Sequence, residues 1–407
     1  MRTVLKGGNV VDLDGGGSQT ADLVIEDEMI ESVGQDVEAR DGDMVVDVTG
    51  KFLLPGFINN HVHLGWDGIH DLQVQANEPS GISALKAAMN IRKNLSAGVT
   101  TIRDLGMNDS NQMAKQGIDE GIIPWIRLTI NGRAIATTGG HTWWCCREAD
   151  GVDDCRRAIR EQFKVGAEWI KIMGSHELPQ FTMAELEAMV DEAHMNGLKV
   201  TAHATFDEAI RRVVEAGVDC VEHGGSMTDK TIDMMVERDV PIVTTFSPLV
   251  LQAQRGLDWG MPPHEVERRR NQMNDESRFA GNKAAAEAGI RIAFGTDAGS
   301  PVVPHNEISE ELKFMVEVGV CSDNYDALRS ITIRGAKLLG LDAELGSLEA
   351  GKTADVVVLN GDPGNDLEEV RNVDQVYVRG HLAHSATGGY AQGVGSGPPP
   401  KAEVRRS

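Results

Sequence analysis

Two histidines stand two residues apart in Asn59-Asn60-His61-Val62-His63, at the end of an apolar run that begins at Leu53. In an extended strand, side chains at i and i+2 leave the same face, so His61 and His63 would aim two imidazoles at one point. Paired imidazoles are how a protein begins a transition-metal site. Four more apolar runs contain or end on groups of this kind. Lys171 lies within Trp169-Ile170-Lys171-Ile172-Met173, His203 follows Val200-Thr201-Ala202, His223 follows Val221-Glu222, and Asp297 follows Phe294-Gly295-Thr296. A strand-end histidine by itself is more often a hydrogen-bonded core residue, and an Asp beside Gly is usually a turn residue. Lys171 resists so plain a reading, because an unpaired ammonium in a core is very unfavourable. Five such strand ends in one chain are read as one site.

The lysine needs a chemical account. An ammonium has donors and no lone pair, so it cannot ligate a cation. Two dications nearby would depress its pKa, and a neutral amine can take up carbon dioxide. The resulting Lys171 carbamate carries two oxygens that can bridge two metals. His61, His63 and Asp297 would then hold one ion, and His203 and His223 the other. A water shared between the ions would be acidified and would act as nucleophile near neutral pH. Asp297 would accept its proton and pass it to a leaving amine. The expected cofactors are two divalent ions, zinc first, with manganese, cobalt or iron as alternatives, together with carbon dioxide on Lys171.

The elements that must position these residues alternate between 51 and 348. Strands are expected over 53–63, 99–104, 126–131, 168–173, 198–203, 218–223, 240–246 and 290–296. Helical spacing of apolar residues marks Ser83–Ala97, Asp153–Val165, Met183–Asn196, Phe206–Ala216 and Thr228–Arg238, several of them ending near Gly. Eight such repeats are what a (β/α)8 TIM barrel requires, and in that fold the chemistry sits at the carboxyl ends of the strands. The two chain ends differ from this middle. Residues 3–12 and 22–34 read as strands around the turn Asp14-Gly15-Gly16-Gly17, and 351–361 and 373–380 have the same character. The expected organisation is a small β-sandwich module from 1–50 and 349–386, a barrel over 51–348, and a disordered tail at 387–407, rich in Gly and Pro.

Composition narrows the partners. The 407-residue chain carries a formal charge of −23, whereas nucleic acid or an anionic membrane needs a basic footprint. No run of about eighteen apolar residues exists to span a bilayer. The N-terminus lacks the apolar segment of a signal peptide. Five cysteines, odd in number and including adjacent Cys145 and Cys146, suit a reduced, cytoplasmic protein. The expected partners are a small-molecule substrate and further copies of the chain in a homo-oligomer.

The order H-x-H, strand-four Lys, strand-five His, strand-six His and strand-eight Asp resembles the metal-dependent amidohydrolase superfamily. Thr138-Gly139-Gly140-His141, Glu168-Trp169-Ile170-Lys171-Ile172-Met173, Val221-Glu222-His223-Gly224, Gly295-Thr296-Asp297-Ala298-Gly299 and the stretch from Leu345 to Asp355 are similar to its imidazolonepropionase-like and prolidase-like branch. The resemblance implies His61, His63, Lys171, His203, His223 and Asp297 as metal ligands, and His141 as a contact to the substrate carbonyl or carboxylate. It implies hydrolysis of an amide or peptide C–N bond in a dipeptide or N-acyl amino acid. A urea, carbamate or cyclic amide is the alternative, with heterocycle deamination disfavoured by Lys171.

Departures from the family pattern bear on the substrate. Asn60 stands where an acid is common, and Gly174-Ser175-His176-Glu177 runs almost directly into Pro179-Gln180, a shortened loop that should open one pocket wall. After strand seven, Thr244-Thr245-Phe246 replaces the Tyr of peptidase members, and the three tyrosines (325, 377 and 390) lie away from every expected strand end. A weaker grip on a free α-carboxylate follows. Trp143 and Trp144 offer either a bulky apolar substrate wall or simple loop packing.

Overall fold

The computed structural model describes residues 2–388. Eight parallel strands lie near the expected positions: Phe57–Val62, Val99–Asp104, Arg127–Ile130, Trp169–Met173, Lys199–Ala204, Cys220–His223, Ile242–Thr244 and Ile292–Phe294. They are numbered one to eight below. Every residue of strands one, two and four is buried, as strands covered on both faces must be. Strands one, two and three pair in that order, and strands four to eight pair consecutively in a second sheet. Short backbone contacts lace the sheets together. Asp297 N donates to His61 O at 2.8 Å, His63 N to Ala298 O at 2.8 Å, and Glu168 N to Ile130 O at 2.8 Å. The result is a TIM-barrel-like α/β fold.

Helices cover this core for reasons visible in the chain. Val152–Lys164 buries Cys155, Ala158, Ile159 and Gln162, a stripe at helical spacing. Met183–Met195 starts at a capping box in which Thr182 and Glu185 bond each other's backbone N–H. Asp207–Ala216 stops at Gly217, which adopts a left-handed conformation with φ 97°. No helix among the described residues is long and apolar enough to cross a membrane. All five cysteines are buried and unbridged.

Both chain ends supply one eight-stranded sheet, ordered His381–Ser385, Val373–Val378, Val356–Leu359, Phe52–Pro55, Arg2–Val11, Ser18–Glu26 and Met29–Gly34, with Met44–Asp47 also paired to Arg2–Val11. Its own core gathers Leu5, Leu23, Ile25, Ile30, Leu53, Val356 and Val358. The tail expected at 387–407 lies, from 389 on, outside the described residues. The single run expected at 53–63 divides at Gly56. Phe52–Pro55 pairs in the end sheet, and Phe57–Val62 in the barrel-like sheet. A β-carbon at Gly56 would lie 2.2 Å from Thr100 Oγ1 and 3.0 Å from Asp355 Cβ, so only glycine lets the chain cross there.

Asp355 is the clasp at that crossing. Its carbonyl accepts from Gly56 N at 2.8 Å. Its carboxylate takes Arg127 Nη1 at 2.9 Å and the Arg379 N–H at 2.8 Å. Trp125 lies under both guanidinium groups, 5.4 and 4.9 Å from its ring centre. Asp355→Ala should therefore lower the unfolding free energy by about 2 kcal/mol, the usual cost of stranding buried hydrogen-bond partners. Urea titration reads this directly. A change within about 0.5 kcal/mol, as at an ordinary surface position, would remove the clasp.

Candidate active site

The carboxyl ends of strands one and eight bring His61, His63 and Asp297 together. Asp297 Oδ1 lies 3.5 Å from His61 Nε2 and 3.1 Å from His63 Nε2. The ligand-capable atoms of the three residues all lie within 4.8 Å of one another. The ring of His223 is 5.0 Å from that of His61 and 4.6 Å from that of His203, centre to centre. Lys171 is only 1% exposed. Among the described residues its ammonium has neither ion pair nor hydrogen bond. Its charge nevertheless acts on His61, His141, His203 and His223 alike, which places it amid all four rings.

Strand register explains part of this convergence. Lys171 pairs across from Thr201, and His203 from Glu222, so each pair shares a face. His223 follows Glu222 and in a regular strand would point the other way. Its φ of 71° takes it out of extended geometry, and Asp297 does the same at 56°. Positive φ at a non-glycine residue is strained, and such residues gather at functional sites. Gly299, with φ 99°, completes the turn where a β-carbon would sit 2.6 Å from His63 O.

Each of three imidazoles has its Nδ1 engaged, and the Nε2 atoms of His61 and His63 turn toward Asp297. His61 Nδ1 lies 2.8 Å from Glu222 Oε2, and His63 Nδ1 3.0 Å from Gly106 O. His223 Nδ1 contacts the Thr245 hydroxyl. Such outer contacts set the tautomer and orientation of a ligating ring. Glu222 is the hub, accepting also from Arg103 and from the Thr201 hydroxyl. Arg103 is fully buried, donates to Asn60 O at 2.7 Å, and stacks 4.6 Å from the centre of Trp169.

The electrostatics follow from this packing. Burial, then the Lys171 charge, holds His61 well below the ordinary imidazole range. Burial followed by neighbouring imidazoles does the same for His203 and His223. Neutral imidazole is the form that ligates metals. Burial lowers the Lys171 pKa, opposed by Glu222 and Asp297. Burial would raise Asp297, but His61, His63 and the Ser300 hydroxyl outweigh it and bring the carboxyl down to about 2. Ser300 Oγ donates to Asp297 Oδ1 at 2.8 Å.

Around the mouth, His141 stacks on His203 at 4.3 Å. Burial, then His176 and Lys171, lowers its pKa to about 4. Trp144 stacks on Trp66 at 5.8 Å, and Trp66 is 5.6 Å from the His63 ring. Met107, Cys145, Cys146 and Met173 pack with Trp66. Trp143 instead is 49% exposed. Glu222, Arg103, Trp66 and His176 join the site without being marked out by the motifs above. Arg103 in Val99-Thr100-Thr101-Ile102-Arg103-Asp104 carried the signal that singled out Lys171, a long cation inside a strand.

The polar cluster lies at the carboxyl ends of a barrel-like sheet, and the family this chain matches makes it a hydrolase acting on carbon–nitrogen bonds. The chain belongs to the amidohydrolase family, whose model matches residues 52–383, and within it to the prolidase-like branch. A prolidase solved with N-methylphosphonate-L-proline is 31% identical, covering 95% of this chain and 100% of that one, with a TM-score of 0.84. A Xaa-Pro dipeptidase with bound methionine is 29% identical over 94% of this chain and 99% of its own, with a TM-score of 0.83. Ochratoxinase of Aspergillus niger is 27% identical over 433 aligned residues, 93% of this chain and 86% of that one.

The Glu222 hub makes a test of its own. Glu222→Gln leaves Arg103 charged in the core without its anion, which should cost about 3 kcal/mol of unfolding free energy. Adding Arg103→Met should recover part of that loss, because no uncompensated charge then remains. Urea unfolding of the two single variants and the double variant gives the coupling. A Glu222→Gln protein as stable as its parent would show that Arg103 does not depend on this carboxylate.

Proposed function

We propose that this protein is a binuclear metal-dependent amidohydrolase that cleaves an amide or peptide C–N bond in a dipeptide or N-acyl amino acid. The observation that carries the reading is Lys171, buried in a ring of imidazoles with no hydrogen bond or ion pair among the described residues, where burial outweighs the pull of Glu222 and Asp297. An ammonium there is unstable, and a neutral amine is the species that takes up carbon dioxide. The donor set fits divalent ions: buried imidazoles whose Nδ1 atoms are held by outer contacts, an ionised carboxylate, and the two oxygens a Lys171 carbamate would add. His61, His63 and Asp297 would hold one ion, His203 and His223 the second, with carbamylated Lys171 between them. We propose with this that strands one to eight close into a (β/α)8 barrel over 51–348, supported by the bonds between strands one and eight, and that 1–50 and 349–386 form a β-sandwich module.

Two bound divalent ions would supply an acidified water and a polarised substrate carbonyl. The chain's own residues do the remainder. Asp297, ionised and oriented by Ser300, accepts the proton of the attacking water and returns it to the departing amine. His141 extends its imidazole over His203 and donates to the carbonyl oxygen as charge develops there. The stacked Trp66 and Trp144 give the apolar side of the pocket, suited to an aromatic or alkyl group.

Two measurements test the reading. Elemental analysis of metal-replete protein should find about two zinc, manganese, cobalt or iron ions per chain. Lys171→Ala should lose metal and turnover together, and short carboxylic acids should restore part of both by standing in for the carbamate. One ion in the parent protein, or full activity in the variant, would defeat the binuclear reading. Separately, Asp297→Asn should fold normally yet lose turnover by about 10²–10⁴-fold on whichever dipeptide, N-acyl amino acid, aryl urea or carbamate the parent hydrolyses. A loss of only a few-fold would take the proton transfer away from Asp297.

A further inference from the structure

The loop after strand four carries a second histidine near the proposed metal-ligand cluster. Residues 174–180 fold into a tight hairpin, with His176 N bonded to Leu178 O at 3.1 Å, Gln180 N to Gly174 O at 2.9 Å, and a bridge between Ser175 and Pro179. This hairpin presents His176, exposed, with its ring 5.3 Å from that of His141 and tilted 32° to it. A second contact fixes the spacing. Thr137 Oγ1 donates to Gln180 Oε1 at 2.9 Å, tying the hairpin to the turn that carries His141. Gly140 lies under that tie, where a β-carbon would be 2.3 Å from Gln180 Oε1 and 2.6 Å from Thr137 Oγ1. The two loops are fastened so that the two imidazoles stand side by side.

Neither ring has a hydrogen-bond partner among the described residues. Each therefore offers a free N–H to whatever enters the mouth. Two arginines on the chain after strand three are committed elsewhere. Arg133 is paired with Asp109 at 2.9 Å, and Arg147 with Asp154 at 2.8 Å and Glu161 at 2.9 Å. Tyr325 lies on the helix Asn324–Ile331 and Tyr377 within a strand of the end sheet.

We propose that His176 binds the free carboxylate of the substrate while His141 faces its amide carbonyl. An N-acyl α-amino acid or dipeptide places only two atoms, the amide nitrogen and the α-carbon, between the carbonyl carbon and the carboxylate carbon. Two imidazoles 5.3 Å apart can meet both groups at once. The inference rests on the amidohydrolase reading above and assigns the free carboxylate of its substrate to a particular residue, His176. An N–H donated to a carboxylate is a charge-assisted hydrogen bond, stronger than its neutral counterpart.

The test separates the two claims. Calorimetry on the metal-replete protein compares binding of 3-phenylpropionate with that of its neutral isostere 3-phenylpropanamide, in the parent, His176→Ala and His176→Gln. His176→Ala should weaken the carboxylate by about tenfold and the carboxamide by less than about threefold, the margin expected of one hydrogen bond to a charged group. His176→Gln, which keeps an N–H donor, should recover part of the loss, and metal content should match the parent's. Equal weakening of both ligands, no weakening of either, or loss of metal in His176→Ala would each overturn the assignment. Failure of the parent to hydrolyse any amide would defeat the functional reading, and the binding comparison would still decide the role of His176.

Discussion

Two long cationic side chains point into the same core, and the carboxylate of Glu222 is bonded to only one of them. Arg103 and Lys171 are both buried. Glu222 spends one carboxylate oxygen on Arg103 and Thr201 and the other on His61. Lys171 has no hydrogen bond or ion pair among the described residues, and Glu222 and Asp297 act on it only through space. A lone buried charge costs several kcal/mol even after the surroundings relax. Burial accordingly lowers the pKa of Lys171, which favours the neutral amine. The proposed carbamate and metal pair grows out of that imbalance.

The same economy organises the histidines. A neutral imidazole has one N–H and one lone pair, so occupying Nδ1 commits Nε2 to the opposite role. Glu222, Gly106 and Thr245 occupy Nδ1 of His61, His63 and His223 in turn. The Nε2 atoms of His61 and His63 then turn toward Asp297. The arrangement requires backbone conformations that cost energy. His223 and Asp297 both stand at positive φ, and the hydrogen bonds lacing strand eight to strand one hold Asp297 there.

Away from the strand ends, loops set the character of the mouth. Trp66 and Trp144 stack on the side of His63, while the hairpin 174–180 brings His176 beside His141 on the side of His203. The proposed apolar and carboxylate-binding sides thus flank the cluster separately. Asp355 and Gly56 join this body to the end sheet at the point where the chain passes from one sheet to the other.

Much of this was legible in the chain because period and composition are local properties. Apolar runs of strand length alternating with helical stripes announced the eight strands, and i, i+2 spacing announced the pairing of His61 with His63. Lys171 stood out because no bland environment tolerates it. Other features depend on contacts between residues far apart in sequence. Strand alternation alone would turn His223 away from Glu222, and only its positive φ brings the ring back beside His61. Glu222 and Arg103 are 119 positions apart, so neither reveals that the other neutralises it. Of the two adjacent tryptophans, loop geometry alone chose Trp144 to stack on Trp66 and left Trp143 exposed. His176 read as one residue of a short loop, until the Thr137–Gln180 bond placed its ring against that of His141. The sequence by itself determined which residue types line the strand ends, because periodicity is written locally. The tertiary structure decided which of their atoms face one another, because that depends on backbone torsions and on partners supplied by distant strands.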